Sequence, residues 1–316
     1  MPAPNDEEFG FAPAHDQPIP YLQRIRDYYM ALGYGARYQW AHYACVPFTR
    51  LRKPLRDCRV TLVTTAAPVV PGMGEQGPWA PYNAKPKFYS VYSLDSDRDH
   101  DLAVSHVAID FKHTSREDQR TYFPLSALRA AATDGRIGEV APHVYGIPTN
   151  RSHRITLGVD CPDLLARCKA DAVDAAVLVP NCPVCHQTVS LAARLLEENG
   201  IATVVMGCAR DIVEYVGVPR LLFSDFPLGN GAGRPNDPAS QAETMELALA
   251  LLELAPASRS ALQSPLRWSH DPDWKLDYSN PERMTPEDIA AKRAEFDAQK
   301  AIATALRDAK GLNRTK

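Results

Sequence analysis

An α/β architecture is the fold class this sequence predicts, and three observations predict it. Short runs such as RVTLVTT (59–65), AAVLVP (175–180) and IATVVMG (201–207) are β-branched and apolar on both faces, as strands covered by helices are. Stretches with helical apolar spacing lie between them. In the second half the connections are short, and strands alternating with helices through short turns build parallel sheets. The length accommodates two Rossmann-like parallel-sheet units with a site in the crevice between them, plus a C-terminal helical tail. The expected divisions are 1–55 (leader and helix), 56–155 (first unit), 156–262 (second unit), and 263–316 (irregular segment and C-terminal helix).

Taken in order, residues 1 to about 18 form an acidic, proline-rich leader without the basic and apolar regions of a signal peptide. YLQRIRDYYMALGYG, from Tyr21, has helical periodicity and stops at glycines. An irregular, proline-containing stretch precedes the strand at 59–65. The following loop, AAPVVPGMGEQGPWAPYNAKPK, is too rich in proline and glycine for regular structure. HDLAVSHVAID (100–110) reads as a second buried strand, 123–138 as a helix, and 143–147 as a short strand. The second unit then runs helix 163–173, strand 175–180, helix 184–199, strand 201–207, a short helix, the strand of PRLLFSDF, and the long helix of PASQAETMELALALLELA. In the tail, Thr285 is placed to cap a charged, alanine-rich helix, with Pro286 at its first position.

Composition narrows the function. The chain of 316 residues is 45% hydrophobic and 23% charged with a net charge of −3, the profile of a globular protein. Its basic residues are interspersed with acidic ones, so no nucleic-acid partner is expected. No apolar run approaches the roughly 20 residues that span a bilayer, so no membrane partner is expected and the cytoplasm is the expected compartment. Seven cysteines, an odd number scattered over a long chain, do not form a secreted disulfide framework.

Only Cys182 and Cys185 stand at CxxC spacing, with His186 beside them. Ligands of open parallel sheets bind outside the carboxyl ends of strands, and this is such a junction. Pro183 suits a first helical position, and a thiol at a helix N-terminus has a lowered pKa and more thiolate. His186 is a candidate general acid or base. His106 and Asp110, with Ser105, sit at the end of the 100–110 run as candidate substrate contacts. Thr64 and Thr65 end the first strand, and Asn230 lies in GNGAG. That glycine-rich turn is not GxGxxG, so no nucleotide site is expected. No cofactor is expected; a zinc held by Cys182, Cys185, His186 and His106 is the alternative for this cluster.

The succession VTLVTTA, DLAVSHVAID, FPLSALRAAATDGRIGEVA, VLVPNCPVC, LLEENGIATVVM and PRLLFSDFPLGNGAG, with the later Gln241, resembles the B-component proteins of glycine, sarcosine, betaine and D-proline reductases. The resemblance covers roughly residues 45 to 255. It implies reductive cleavage of a C–N bond in a small amino-acid derivative, with a partner subunit and a dithiol donor. It also implies a reactive chalcogen in the Cys182–Cys185 loop and substrate near His106 and Asp110. In glycine-reductase-type proteins a selenocysteine precedes a CxxC by three residues; here that position is Val179. A cysteine must then be the attacking group, a slower nucleophile for alkyl carbon, which favours an easier reaction such as attack on a carbonyl or thiocarbonyl carbon by a cysteine–histidine pair.

Three functions follow as expectations. The first is a thiol-dependent reductase in which Cys182 attacks and Cys185 resolves. The second is a non-redox hydrolase or desulfhydrase acting on an amino-acid-derived heterocycle or thio-compound. The third is a substrate-binding subunit of a multi-component reductase. Homo-oligomerisation through the C-terminal helix is expected alongside.

Overall fold

The computed structural model of the chain describes residues 16–35, 38–69, 88–104, 108–110, 112–114 and 117–309. The strands are β1 (Arg59–Thr64), β2 (Ala67–Pro68), β3 (Tyr92–Asp95), β4 (Leu102–Ala103), β5 (Glu139–Val140), β6 (His143–Gly146), β7 (Ala175–Val179), β8 (Ala202–Gly207), β9 (Arg220–Phe223) and β10 (Ser260–Gln263). The α-helices are α1 (Tyr21–Ala31), α2 (Leu125–Thr133), α3 (His153–Ile155), α4 (Cys161–Ala170), α5 (Pro183–Glu198), α6 (Arg210–Val216), α7 (Pro238–Leu254) and α8 (Pro286–Ala309). A π-helical turn, Thr156–Asp160, joins α3 to α4.

The architecture is α/β around a mostly parallel sheet. The strand order is β10-β9-β8-β7-β1-β6-β3, with β5 also paired to β1. Only β3 runs antiparallel to its neighbour in this sheet. The strands of the two expected units therefore share one sheet, because β1 pairs directly with β7 over Val60–Thr64 and Ala175–Val179.

Strand periodicity explains the two faces. Val60, Leu62, Ala175, Val177, Val179 and Val204 point to one side, where Leu125 and Leu128 of α2 and Met245, Ala248 and Leu249 of α7 cover them. Val63, Ala176, Leu178 and Val205 point to the other, against Leu164 of α4, Val189, Ala192 and Leu196 of α5, and Val213 of α6. Each fully buried Val or Leu contributes about 1.5–3 kcal/mol of transfer free energy. That double cover is why these strands lack polar alternation.

The chain moves from β1 outward to β6, then returns to the other side of β1 for β7, β8, β9 and β10. The order thus reverses between β1 and β7, the kind of point at which open α/β sheets bind their ligands.

Of the strand expected over 100–110, the described residues show β4, which pairs antiparallel with β2, while 105–107 lie outside the described residues. The backbone of Leu102 is engaged by side chains: its N–H donates to Gln119 Oε1 at 3.1 Å and its carbonyl accepts from Tyr122 Oη at 3.0 Å. A third apolar cluster joins α1 to the segment after β10, with Tyr21 and Ile25 of α1 packed with Cys208, Phe226, Trp274 and Tyr278. The tail is fastened there by Arg24 donating to the Lys275 and Tyr278 carbonyls. Thr285 caps α8 as its sequence position predicts, with the Asp288 N–H donating to its hydroxyl at 3.1 Å.

Candidate active site

Strand β7 ends at Val179, and Pro180 and Asn181 lead into Cys182, the N-cap of α5. Cys182 takes an extended conformation, and Pro183 occupies the first helical position, where a missing N–H leaves nothing unpaired. The Cys185 N–H donates to Cys182 Sγ at 3.2 Å, so the sulfur serves as the capping acceptor. Cys182 and Cys185 are joined as a disulfide with Cα atoms 4.9 Å apart. Cys182 is 4% exposed and Cys185 fully buried. Thr149, in the loop after β6, brings its hydroxyl to 3.2 Å from Cys185 Sγ.

His186 is also fully buried, and both ring nitrogens are engaged by backbone. Nδ1 lies 2.8 Å from the Cys182 carbonyl, an acceptor, so Nδ1 carries the proton. Nε2 accepts from the Cys208 and Ala209 N–H groups at 3.0 and 3.1 Å. Burial lowers its pKa to about 4, against the raising effect of the Cys182 carbonyl, so the ring is neutral at ordinary pH. The close approach to β8 needs Gly207, where an added Cβ would sit 3.0 Å from the His186 ring. With both nitrogens occupied, the imidazole has no lone pair for a metal and no route to a substrate proton. Its geometry is that of a clip between the ends of β7 and β8. Among the described residues, no group of three or more His, Cys, Asp or Glu side chains is arranged to hold a metal ion.

Thr65 belongs to the same junction. Its hydroxyl accepts from Asn181 N–H at 3.1 Å and Asn181 Nδ2 at 3.0 Å, linking the ends of β1 and β7. Asn181 Oδ1 is left buried without a partner. Thr64, by contrast, donates to the Tyr122 carbonyl and accepts from the Ala66 N–H, bonds internal to the fold.

Asp110 and Asn230 form a second cluster on the same edge. The Thr114 N–H donates to the Asp110 carbonyl, and Asn230 Nδ2 donates to the Thr114 hydroxyl at 2.9 Å. Asp110 Oδ1 accepts from the Lys112 and His113 N–H groups, while its Oδ2 and Asn230 Oδ1 are buried and unpartnered. Burial raises the Asp110 pKa despite those donors. Ser105 and His106 lie outside the described residues.

Gln241 helps hold this edge together. Its Nε2 donates to Asp118 Oδ2 at 2.8 Å and to the Arg234 carbonyl. Burial acts to raise the Asp118 pKa, but donors from Arg120, Asn236 and Gln241 outweigh it and hold the carboxyl at about 2.

Thus Cys182, Cys185, His186 and Thr65 converge at the reversal between β1 and β7, and Asp110 and Asn230 converge through Thr114. Sequence reading missed Asn181, Thr149 and Cys208. Asn181 precedes Cys182, Thr149 follows the strand HVYG, and Cys208 follows β8, so the carboxyl-edge rule itself could have marked all three. Cys208 is buried, and its pKa is pushed up to about 12 by that burial although the Asn230 and Phe226 N–H groups act against it.

Fold and site together define an α/β protein with a paired-cysteine centre at the turning point of a parallel sheet. In sequence the chain is distantly similar to a reductase subunit: it is 27% identical over 201 residues to the D-proline reductase subunit gamma of Acetoanaerobium sticklandii, a match covering 61% of this chain and 78% of that protein. No family model matches the chain. No solved structure matches it.

Proposed function

We propose that the chain is a thiol-dependent reductase that cleaves a C–N or C–S bond in a small amino-acid-derived substrate through Cys182 and Cys185. The observation that carries this reading is the cysteine pair itself, bonded across one helical turn at the carboxyl ends of β1 and β7. The similarity to a reductase subunit supports the reductive class.

In this cycle the Cys182 thiolate, stabilised by the N-terminus of α5, attacks the substrate carbon. The electron pair of the broken C–N or C–S bond leaves with nitrogen or sulfur, which takes up a proton. Cys185, as thiolate, then attacks Cys182 Sγ, and the S–C electron pair passes to carbon, which is protonated. The product has gained two electrons and two protons, and the cysteines are left as the disulfide. An external dithiol donor restores them, delivered with or without a partner reductase subunit. The carbon must stabilise negative charge, so a position next to a carbonyl or carboxylate suits it. Asp110, Asn230 and Asn181 offer unpartnered buried acceptor oxygens for substrate N–H groups.

His186 in this reading is a positioning residue that fixes the Cys182 turn. Its buried, doubly bonded ring weighs against hydrolysis by a Cys–His pair. A cytoplasmic setting would supply the dithiol; no helix among the described residues is long and apolar enough to cross a membrane. Homo-oligomerisation through α8 is part of the proposal, although Phe296 of that helix packs on Tyr29 and Tyr34 of its own chain. Reduced protein supplied with dithiol and a panel of cyclic and N-alkyl amino acids, hydantoins and thiohydantoins should release amine or sulfide. Release that is undiminished in Cys182→Ser would sink the proposal.

A further inference from the structure

The two sulfurs of the pair draw on different donors. Cys182 Sγ is served by a backbone N–H of its own helix, at 3.2 Å. Cys185 Sγ is met by the hydroxyl of Thr149, also at 3.2 Å, from a loop on the far side of β1. That loop is held at two points. The Ile147 N–H donates to the Thr64 carbonyl at 3.0 Å, and Asn150 Nδ2 donates to Asp160 Oδ2 at 2.5 Å. Asp160 is buried and closes the π-helical turn Thr156–Asp160 between α3 and α4. Such turns concentrate at functional sites because they redirect a side chain that a regular helix would aim elsewhere. A continuous set of contacts thus runs from the π-turn through Asn150 to the residue beside the inner sulfur.

We propose that Thr149 is a positioning residue for the thiol–disulfide step: its hydroxyl donates to the Cys185 thiolate, stabilises the reduced pair and makes Cys185 the leaving sulfur. This rests on the reading of Cys182 and Cys185 as a redox couple. When a dithiol reductant attacks, the accessible target is Cys182 Sγ, because Cys185 is fully buried. A bond forms between a reductant sulfur and Cys182, the Cys182–Cys185 bond breaks, and its electron pair goes to Cys185 as thiolate. The second reductant thiolate then attacks its own partner sulfur and frees Cys182. The reductant is oxidised by two electrons and the pair is reduced by two. A better-stabilised leaving thiolate departs faster, and stabilising the reduced form makes the couple more oxidising. In the forward cycle the same bond keeps Cys185 deprotonated and ready to resolve.

The experiment is a dithiothreitol redox titration of the full chain, with thiols trapped and the 182–185 pair mapped by mass spectrometry. Thr149→Val should shift the equilibrium about five- to tenfold toward the disulfide, as loss of one net hydrogen bond does, equivalent to roughly 20–30 mV more negative. Thr149→Ala should shift it the same way and guards against a fold defect peculiar to valine. Thr149→Ser should stay within about twofold of the parent, since the donor is kept. The midpoint of thiolate absorbance against pH should rise in the Val and Ala proteins alone. Val and Ala proteins that fold normally and superimpose on the parent in both readouts overturn the role of Thr149, as would a Ser protein that shifts as far as Val. If the parent forms no 182–185 disulfide at any ratio, the redox reading fails as well, so the two failures are told apart.

Discussion

The two ends of α5 treat buried polarity in opposite ways. At its C-terminal end, the Glu197 carboxylate accepts from Thr49 N–H, Thr203 N–H, Thr203 Oγ1 and Arg220 Nη1 at 2.5–2.9 Å. Arg220 also donates to the Thr49 carbonyl and stacks over Phe48. Except for Arg220 Nε, the polar groups there are used up by the fold. At the N-terminal end lie the disulfide, the unpartnered Asn181 Oδ1, and farther along the same sheet edge Asp110 Oδ2 and Asn230 Oδ1. An unpaired buried acceptor costs about 1–3 kcal/mol, a cost that the proposed substrate would relieve. One end of the helix holds the sheet together, and the other is where we propose that substrate binds.

The contrast can be broken by mutating each end and asking which property fails. At the carboxyl edge, Cys182→Ser is expected to lower turnover on the order of a thousandfold or more while unfolding, under reducing conditions, as the reduced parent does. Amine or sulfide release and a denaturant curve on the same preparation check both halves. A mutant that also loses stability would make the pair a structural staple. At the other end, Glu197→Ala leaves the Arg220 cation buried without its partner, which costs about 3–5 kcal/mol. Its denaturation midpoint should fall accordingly, while its cysteine pair titrates unchanged.

His186 sharpens the comparison, since it stands at the site yet is bonded like a core residue. It stays neutral in the fold down to about pH 4, whereas an unperturbed imidazole takes its proton near 6.5. Between those values the unfolded chain holds the extra proton. Stability from this group is therefore complete above about 6.5 and is lost as pH falls toward 4, by about 3 kcal/mol in all. Urea unfolding at pH 7 and pH 5 should differ by about 2 kcal/mol from this source. His186→Asn should remove that component of the pH dependence. An unchanged slope in the variant would show that the ring is not the group responsible.

Much of this was legible in the sequence. β1, β7 and β8 are apolar on both faces, and α5 and α7 carry their proline starts, so class and element order followed from pattern. The CPVCH junction announced itself by spacing and by its place after a strand. What stayed hidden depended on partners far along the chain. Val60 gives no sign that it will pair with Ala175, so one sheet could not be told from two. The apolar run at 100–110 reads as a strand, but Gln119 and Tyr122 take the Leu102 backbone bonds. His186 reads as a catalytic base beside two thiols until the Cys208 and Ala209 N–H groups are seen on its other nitrogen.

The most direct test of the central claim is mapping the 182–185 linkage while the protein is cycled between dithiothreitol and a mild oxidant. The account predicts one reversible two-electron couple confined to Cys182 and Cys185, with the mixed disulfide to the reductant found on Cys182 and Cys58, Cys161, Cys168 and Cys208 silent throughout. Failure of the linkage to form, or a stoichiometric metal held by those two thiols, would contradict it.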